Sequence, residues 1–479
     1  MRTMKNIIPN LSLSIQIGLL IGALIGSFFV LQSVWVIATM PFIIVIYWLY
    51  RDIRLLMLIS FTVSMIVFGY YINHIIAHYN RIQINIPKKL ENTSIIIESS
   101  AKVQKLGYQY KVYIPEYKAR AFMTIDNQNL EYGNKLEINA KTSIPEEIGI
   151  RRFLLGKNIH VYMTVSKYQI LDSIQCHLQC QVIKSIASLR NIILVRIDEA
   201  YPNQVGEFLK GILIGYTDTL PADIKESFKR TGVSHILAVS GYNMAIIVML
   251  VYQQLINRQV SRSISFWVTI IVMILFTILT GAEASIMRAG IFAALILGAE
   301  QIQRYVGGIR PLILCATILV IINPFYIAYD IGFQLSFLAV IGLIIYGQIF
   351  KTYTEGIPSL GLLPMIGETF FAQLLVLPIL IYYFGQISII SILANILIVP
   401  IIPLVMAWGS ITSLFLNLSI FTYPLVVIIQ LVLSVNQYLA NISWASINTP
   451  KISGFMVILI YIIFALWYFW YKNSKKYEN

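Results

Sequence analysis

Residues Leu55 to Tyr79 read LLMLISFTVSMIVFGYYINHIIAHY, a run without one Asp, Glu, Lys or Arg. A helix that crosses the hydrocarbon of a bilayer needs about 20 such residues, with every backbone polar group satisfied inside the segment. Beyond Arg81 the chain changes character. Thr93-Ser94-Ile95-Ile96-Ile97-Glu98, Tyr108-Gln109-Tyr110-Lys111-Val112-Tyr113-Ile114 and His160-Val161-Tyr162-Met163-Thr164-Val165 are short stretches rich in β-branched and aromatic residues, and Lys105-Leu106-Gly107, Asp126-Asn127 and Gly133-Asn134 separate them. Such alternation between turn signals reads as strands. The fold class is therefore a polytopic α-helical membrane protein with a small all-β domain inserted in it.

Working outward, Leu11 to Leu31 and Val34 to Tyr50 are two earlier spans, and the first lacks the small-residue exit of a cleaved signal. Residues 1–80 are thus N-terminal transmembrane helices, 81–183 a β-barrel of about five strands, 184–232 amphipathic connecting helices, and 233–479 a transmembrane domain with a basic tail. About nine crossings after residue 232 bring the expected total to about twelve. The stretch Ile387 to Phe415 is interrupted by Pro400 and Pro403 and is expected to be a broken or re-entrant helix. Composition agrees: 58% of the 479 residues are hydrophobic and 12% are charged, about half the charged share of a soluble domain.

Lys and Arg number 35 against 22 Asp and Glu, a formal charge of +13. Arg2 and Lys5 precede the first span, while Arg51 and Arg54 lie in the second turn. By the positive-inside rule the N-terminus is cytoplasmic and the β-domain extracytoplasmic. Arg258, Arg262, Arg304, Arg310, Lys351 and the tail Lys472, Lys475 and Lys476 then all fall in the cytoplasm. Much of the basicity is a topology signal for the cell membrane.

The residues exclude several enzyme classes. His235 and Ser240 are about 140° apart around a helix, and no histidine follows Ser240, so a serine nucleophile lacks its base. There is no His-Glu-x-x-His and no His/Asp cluster, so no metal and no cofactor is expected. Gly156-Lys157 is followed by Asn158 and lacks the upstream glycine of a P-loop. Cys176 and Cys180 stand close enough in sequence to be a disulfide candidate on the outer face, and Cys315 sits in an apolar span.

Polar residues inside apolar spans are costly, so they face a cavity or a partner. Four groups stand out. Lys229 and Arg230 precede Ser234, His235, Ser240, Gly241 and Asn243, either as a basic mouth with a polar lining or as a solvated helix end with a small-residue packing face. Leu279-Thr280-Gly281 precedes Glu283 and Arg288, which either pair across a tight turn or leave Arg288 facing a path for anions. Asp330 and Gln334 share a helix face at i, i+4, with Asp330 also suited to capping the helix. Phe384-Gly385-Gln386-Ile387-Ser388 is followed by Ala394-Asn395 and Pro400, which suits either broken helices lining a cavity or hydrogen-bonded helix packing.

In this order these stretches resemble the ComEC family of competence proteins. Phe228 to Asn243 follows the family's F-R-R-T-G-L-S-H-L-L-A-I-S-G-x-H, with Asn243 in place of the final histidine. Leu279-Thr280-Gly281 with Arg288-Ala289, Asp330-Ile331-Gly332-Phe333-Gln334-Leu335-Ser336-Phe337, and Phe384 to Ser388 with Asn395 and Pro400 supply the other three motifs. The resemblance covers residues 205 to 470 and extends loosely to the β-domain, which it makes OB-like. It implies a channel for single-stranded DNA entering the cytoplasm in natural transformation. Many members also carry a metallo-β-lactamase-like domain. This sequence has no H-x-H-x-D-H, so neither nuclease nor other enzymatic activity is expected of it.

On that resemblance the DNA path is expected to include Lys229, Arg230, Ser234, His235, Ser240, Gly241, Asn243, Arg288, Asp330, Gln334, Gln386 and Asn395. In the β-domain Tyr110, Lys111, Lys118, Arg120, Arg151 and Arg152 would contact the strand. Expected partners are single-stranded DNA, the lipid bilayer, a cytoplasmic ATPase or helicase motor, an extracytoplasmic DNA receptor and a separate nuclease. Proton coupling through Asp330 or Glu283 is the alternative to a motor. A transporter of another solute or of lipid is the alternative function on the same scaffold.

Overall fold

The computed structural model describes residues 15–21, 55–303, 309–347, 350, 354, 362–415 and 419–474, apart from 100–101, 105–106, 127–129, 131, 146, 172–177 and 238. The expected spans Leu11 to Leu31 and Val34 to Tyr50 fall almost wholly outside the described residues, where 15–21 is helical. Two compact units divide the chain: Met1–Asn191 with Ile247–Gln334, and Ile192–Ile246 with Leu335–Asn479.

In the first unit the helix Leu55–Asn85 leads into six strands, β1 (Lys89–Ile97), β2 (Lys102–Gln104), β3 (Gly107–Ile114), β4 (Ala119–Ile125), β5 (Lys135–Ser143) and β6 (Val161–Leu171). The order is β1-β5-β6-β4-β3-β2, and β1 also pairs with β3, which closes the five longer strands into a small barrel. The pairing of β4 with β6 is parallel, and the other barrel pairings are antiparallel. Side chains alternate across each strand. Ile95, Tyr110, Val112, Met123, Leu136, Ile138 and Met163 point into an apolar core. The neighbours of these residues face out, and register aligns Lys111 on β3 with Phe122 on β4 and Tyr162 on β6.

The barrel is tied to the helix before it. Tyr79 stacks on the His160 ring at 4.6 Å between centroids, and its hydroxyl donates to the Ile159 carbonyl. Gln83 Nε2 donates to the His160 carbonyl at 2.7 Å. His160 Nδ1 accepts the backbone N–H of Arg120 at 3.1 Å. Burial lowers the His160 pKa from 6.5 to about 4.

Among the described residues five helical stretches are long and apolar enough to cross a membrane: Arg262–Leu279, Ala284–Gln301, Ile366–Phe384, Ser391–Ser413 and Ile420–Ala440. Arg310–Ile322, Ile331–Gly347 and Gly454–Tyr468 are apolar but shorter. The chain is thus a polytopic helical membrane protein with a small β-barrel domain, and the described residues do not establish the twelve crossings expected from sequence. The stretch holding Pro400 and Pro403 is one broken helix, since Ser391–Ile398 passes through a 3-10 turn at Val399–Ile401 into Ile402–Phe415. Arg310–Ile322 stops where Asn323 turns extended before Pro324, a residue that disfavours helical geometry in its predecessor.

The depressed His160 pKa makes barrel stability depend on pH. The unfolded ring takes up a proton near pH 6.5 while the folded ring resists until about pH 4. The stabilisation is therefore complete above pH 6.5 and is lost as pH falls toward 4, up to about 3 kcal/mol in all. Hydrogen exchange on the full chain, corrected for intrinsic rates, is expected to show the Arg120 amide losing protection over that range, and His160→Gln is expected to abolish the pH dependence.

Candidate functional site

The fold gathers the four polar stretches in pairs. In the second unit the helix Ala222–Arg230 ends at Thr231, and Gly232 takes φ +76°, in the left-handed region open to glycine. Thr231 Oγ1 donates to Asn436 Oδ1 at 2.6 Å, and Asn436 Nδ2 donates to Ser227 Oγ at 2.9 Å. All three side chains are buried, so the first stretch is held to the helix Ser419–Ala440 by a closed polar cluster. A Cβ on Gly232 would lie 2.7 Å from the Ser391 Cβ and 2.9 Å from the Ser388 Cβ. The first stretch therefore rests directly on the fourth.

The fourth stretch is braced in turn. Gln386–Ser388 (β7) pairs antiparallel with Ser446–Asn448 (β8), and Gln386 Nε2 donates to Ser446 Oγ at 3.2 Å. Ser391 Oγ donates to Gln373 Oε1 at 3.0 Å. Asn243 is buried, with Nδ2 donating to the Ile212 carbonyl at 2.8 Å and Oδ1 accepting from Ser240 Oγ at 3.2 Å. An amide both donates and accepts here, as a neutral imidazole would. Arg230 reaches the Ile442 carbonyl at 3.5 Å, and Lys229 lies 3.8 Å from Glu226. Lys229, Ser234 and His235 are exposed, Arg230, Ser240, Gly241 and Gln386 are partly buried, and Asn395 is buried.

In the first unit the second and third stretches meet. Arg288 Nη1 lies 3.5 Å from Asp330 Oδ1, with each side chain 10% exposed. The pairing of Arg288 with Glu283 anticipated from their proximity is thus replaced by one with Asp330. Glu283 stands at the N-cap of the helix Ala284–Gln301, and Arg288 five residues later points about 140° away around it. Asp330 Oδ1 also accepts the Phe333 N–H at 2.6 Å, capping the helix Ile331–Gly342. A Cβ on Gly332 would lie 3.1 Å from Arg288 Nη2, so glycine there leaves room for the guanidinium. Gln334 turns back to the Ile327 and Ala328 carbonyls at 3.1 and 3.0 Å. These residues hold one another.

Among the β-domain candidates, Tyr110 is fully buried in the barrel core, which removes it as a contact residue. Strand parity is the reason: 110, 112 and 114 face in, while 109, 111 and 113 face out. Lys111 faces outward. Lys118 is exposed on the β3–β4 turn with φ +50°, and Arg120 Nε donates to Glu98 Oε2 at 2.8 Å. Arg151 is exposed and donates to the Pro145 carbonyl at 2.6 Å. The side chains of Arg152 and Cys180, and all of Cys176, lie outside the described residues. The sequence reading missed Phe122 and Tyr162, whose outward rings are 5.7 Å apart. Their alternation with core residues in ARAFMTI and VYMTV was the available signal. Among the described residues no group of three His, Cys, Asp or Glu gathers to hold a metal.

A family model described as Competence protein matches residues 212–474, more than half of the 479 residues. The chain belongs to the competence protein family. ComE operon protein 3 of Bacillus subtilis (strain 168) is 24% identical to this competence protein over 330 residues, covering 69% of the chain and 41% of that relative. The chain thus spans less than half of the relative's length. No solved structure matches it. The family match takes in all four polar stretches and leaves the β-barrel outside.

Breaking the buried pair has a predictable sign. Arg288→Leu leaves the Asp330 carboxylate buried and unpaired and is expected to destabilise by about 3 to 5 kcal/mol. The double variant Arg288→Leu with Asp330→Asn is expected to recover part of that loss, read by thermal denaturation in detergent. Gly232→Ala is expected to cost more than about 1 kcal/mol in the same assay, since it adds a clash to a left-handed backbone.

Proposed function

We propose that this competence protein is a channel that admits single-stranded DNA through the cell membrane in natural transformation, with the β-barrel holding the strand outside. The observation that carries the reading is the outward row Lys111, Phe122 and Tyr162, in register across three adjacent strands. Two ring faces and an ammonium side by side suit unpaired bases and a phosphate, and base stacking on aromatics contributes about 1 to 3 kcal/mol per base. The closed five-stranded order with its parallel β4–β6 pairing supports reading the barrel as OB-like, a fold whose strands 2 and 3 present a binding face. The competence-family match over the helical part supports the same substrate.

The basic turns support cytoplasmic termini and an extracytoplasmic barrel. In the helical part the exposed Lys229, Ser234 and His235 would contact the strand. Asp330, Gln334 and Asn243 brace the walls through hydrogen bonds to protein partners, and Arg288 does so through its ion pair with Asp330. A membrane potential negative inside opposes each phosphate by about 2.3 kcal/mol per 100 mV over the full crossing. Inward movement therefore requires a pull, which we assign to a separate cytoplasmic ATPase. Delivery falls to an outer DNA receptor and degradation of the second strand to another protein.

Salt-dependent binding of a labelled oligothymidylate to the detergent-solubilised chain tests the barrel face. Phe122→Ala with Tyr162→Ala is expected to weaken binding at least about tenfold, and Lys111→Gln to reduce the slope of log affinity against log salt by about 0.7. Unchanged affinity and slope in both variants would overturn the assignment.

A further inference from the structure

Where the helix Leu55–Asn85 meets the barrel there is a cavity of about 460 Å³, walled by Ile75, His78 and Tyr79 of the helix and by Lys118, Arg120 and His160 of the barrel. Its depth relative to a bilayer can be read from the helix. One face stays exposed at positions three and four apart, and its chemistry changes along the chain: Val63, Ile66 and Val67 give way to Tyr70 and Tyr71, then to His74, His78 and Arg81, with Ile84 exposed at the end of the helix. Apolar residues, then tyrosines, then basic groups mark the passage from hydrocarbon through the interface to water. Ile75 is one turn past Tyr71, about 6 Å along the axis. The headgroup layer on each side is about 5 to 8 Å thick. If the uncharged run Leu55 to Tyr79 crosses the membrane, as its sequence suggests, the cavity opens at headgroup depth.

Its polar groups are mainly donors. The one carboxylate at its wall, Glu98, is engaged by Arg120 Nε at 2.8 Å, which leaves the two Nη groups of that guanidinium. Lys118 adds an exposed ammonium on a turn. His160 Nδ1 already accepts the Arg120 N–H, so the neutral ring carries its proton on Nε2 as a further donor. The Tyr79 ring is stacked on His160. The cavity thus offers charge and N–H groups beside the rings of Tyr113 and Phe325.

We propose that this cavity holds the phosphate of an anionic phospholipid headgroup, clamping the barrel to the membrane surface at the end of the helix Leu55–Asn85. The acyl chains would lie along the exposed stripe of Val63, Ile66 and Val67, which a free phosphate or a DNA strand would leave uncovered.

The test uses the full chain in nanodiscs of mixed phosphatidylglycerol and phosphatidylcholine, with retained lipid counted by native mass spectrometry. Wild type is expected to retain phosphatidylglycerol in preference to phosphatidylcholine. Lys118→Gln and Arg120→Gln are each expected to reduce that preference about fivefold, while Lys167→Glu, on an exposed stretch of β6 away from the cavity, leaves it unchanged. Lys118→Gln alters an exposed side chain and keeps the test valid if Arg120→Gln fails to fold. Undiminished preference in Lys118→Gln would overturn the proposal. So would displacement of phosphatidylglycerol by millimolar inorganic phosphate, which would assign the site to free phosphate, or by oligothymidylate, which would assign it to DNA.

Discussion

A polar group withdrawn from water must find another polar group, and the helical part of this protein is organised by that requirement. Thr231, Asn436 and Ser227 hydrogen-bond one another in the second unit; in the first, Asp330 meets both Arg288 Nη1 and the Phe333 N–H, while Arg288 Nε stays buried without a hydrogen bond. Each cluster joins segments far apart in sequence. Removing one member takes a partner from groups that stay buried, at a cost above the net value of the bond itself. Glycine is used beside both clusters for the same purpose. Gly232 lets the first stretch lie against Ser388 and Ser391, and Gly332 leaves room for the guanidinium.

The β-barrel solves a different problem. Its core is apolar and closed, so its five longer strands leave no long open edge, and function is left to the outer face. Strand parity divides the aromatic residues between those duties. Tyr110 packs the core, while Phe122 and Tyr162, on neighbouring strands, turn outward beside Lys111. The cavity beside Arg120 and Lys118 adds basic groups to the aromatic rings of Tyr79, Tyr113 and Phe325.

Much of this was legible in the chain. The uncharged run at Leu55 to Tyr79 and the alternation after Thr93 separate helix from barrel because the two periodicities differ. Pro400 marked the break that the structure places at a 3-10 turn. Asp330 as a helix cap was readable from its position before Ile331. What could not be read were pairings across the chain. Arg288 has an acidic neighbour in sequence, Glu283, but finds Asp330 in space. Asn436 lies in an apolar helix with no motif around it, and only the fold brings it to Thr231. Tyr110 looked like a contact residue because its neighbours are basic and aromatic, until the register of β3 turned it inward.

The central claim is that the chain itself forms the passage for single-stranded DNA. Proteoliposomes containing only this protein, held at a potential positive inside, test it with a fluorescent single strand outside and a nuclease added afterwards to remove what has not entered. The account predicts a protected internal fraction that grows with the potential and is absent for a duplex of the same length. No protected single strand at any potential, with the protein folded and correctly inserted, would contradict it.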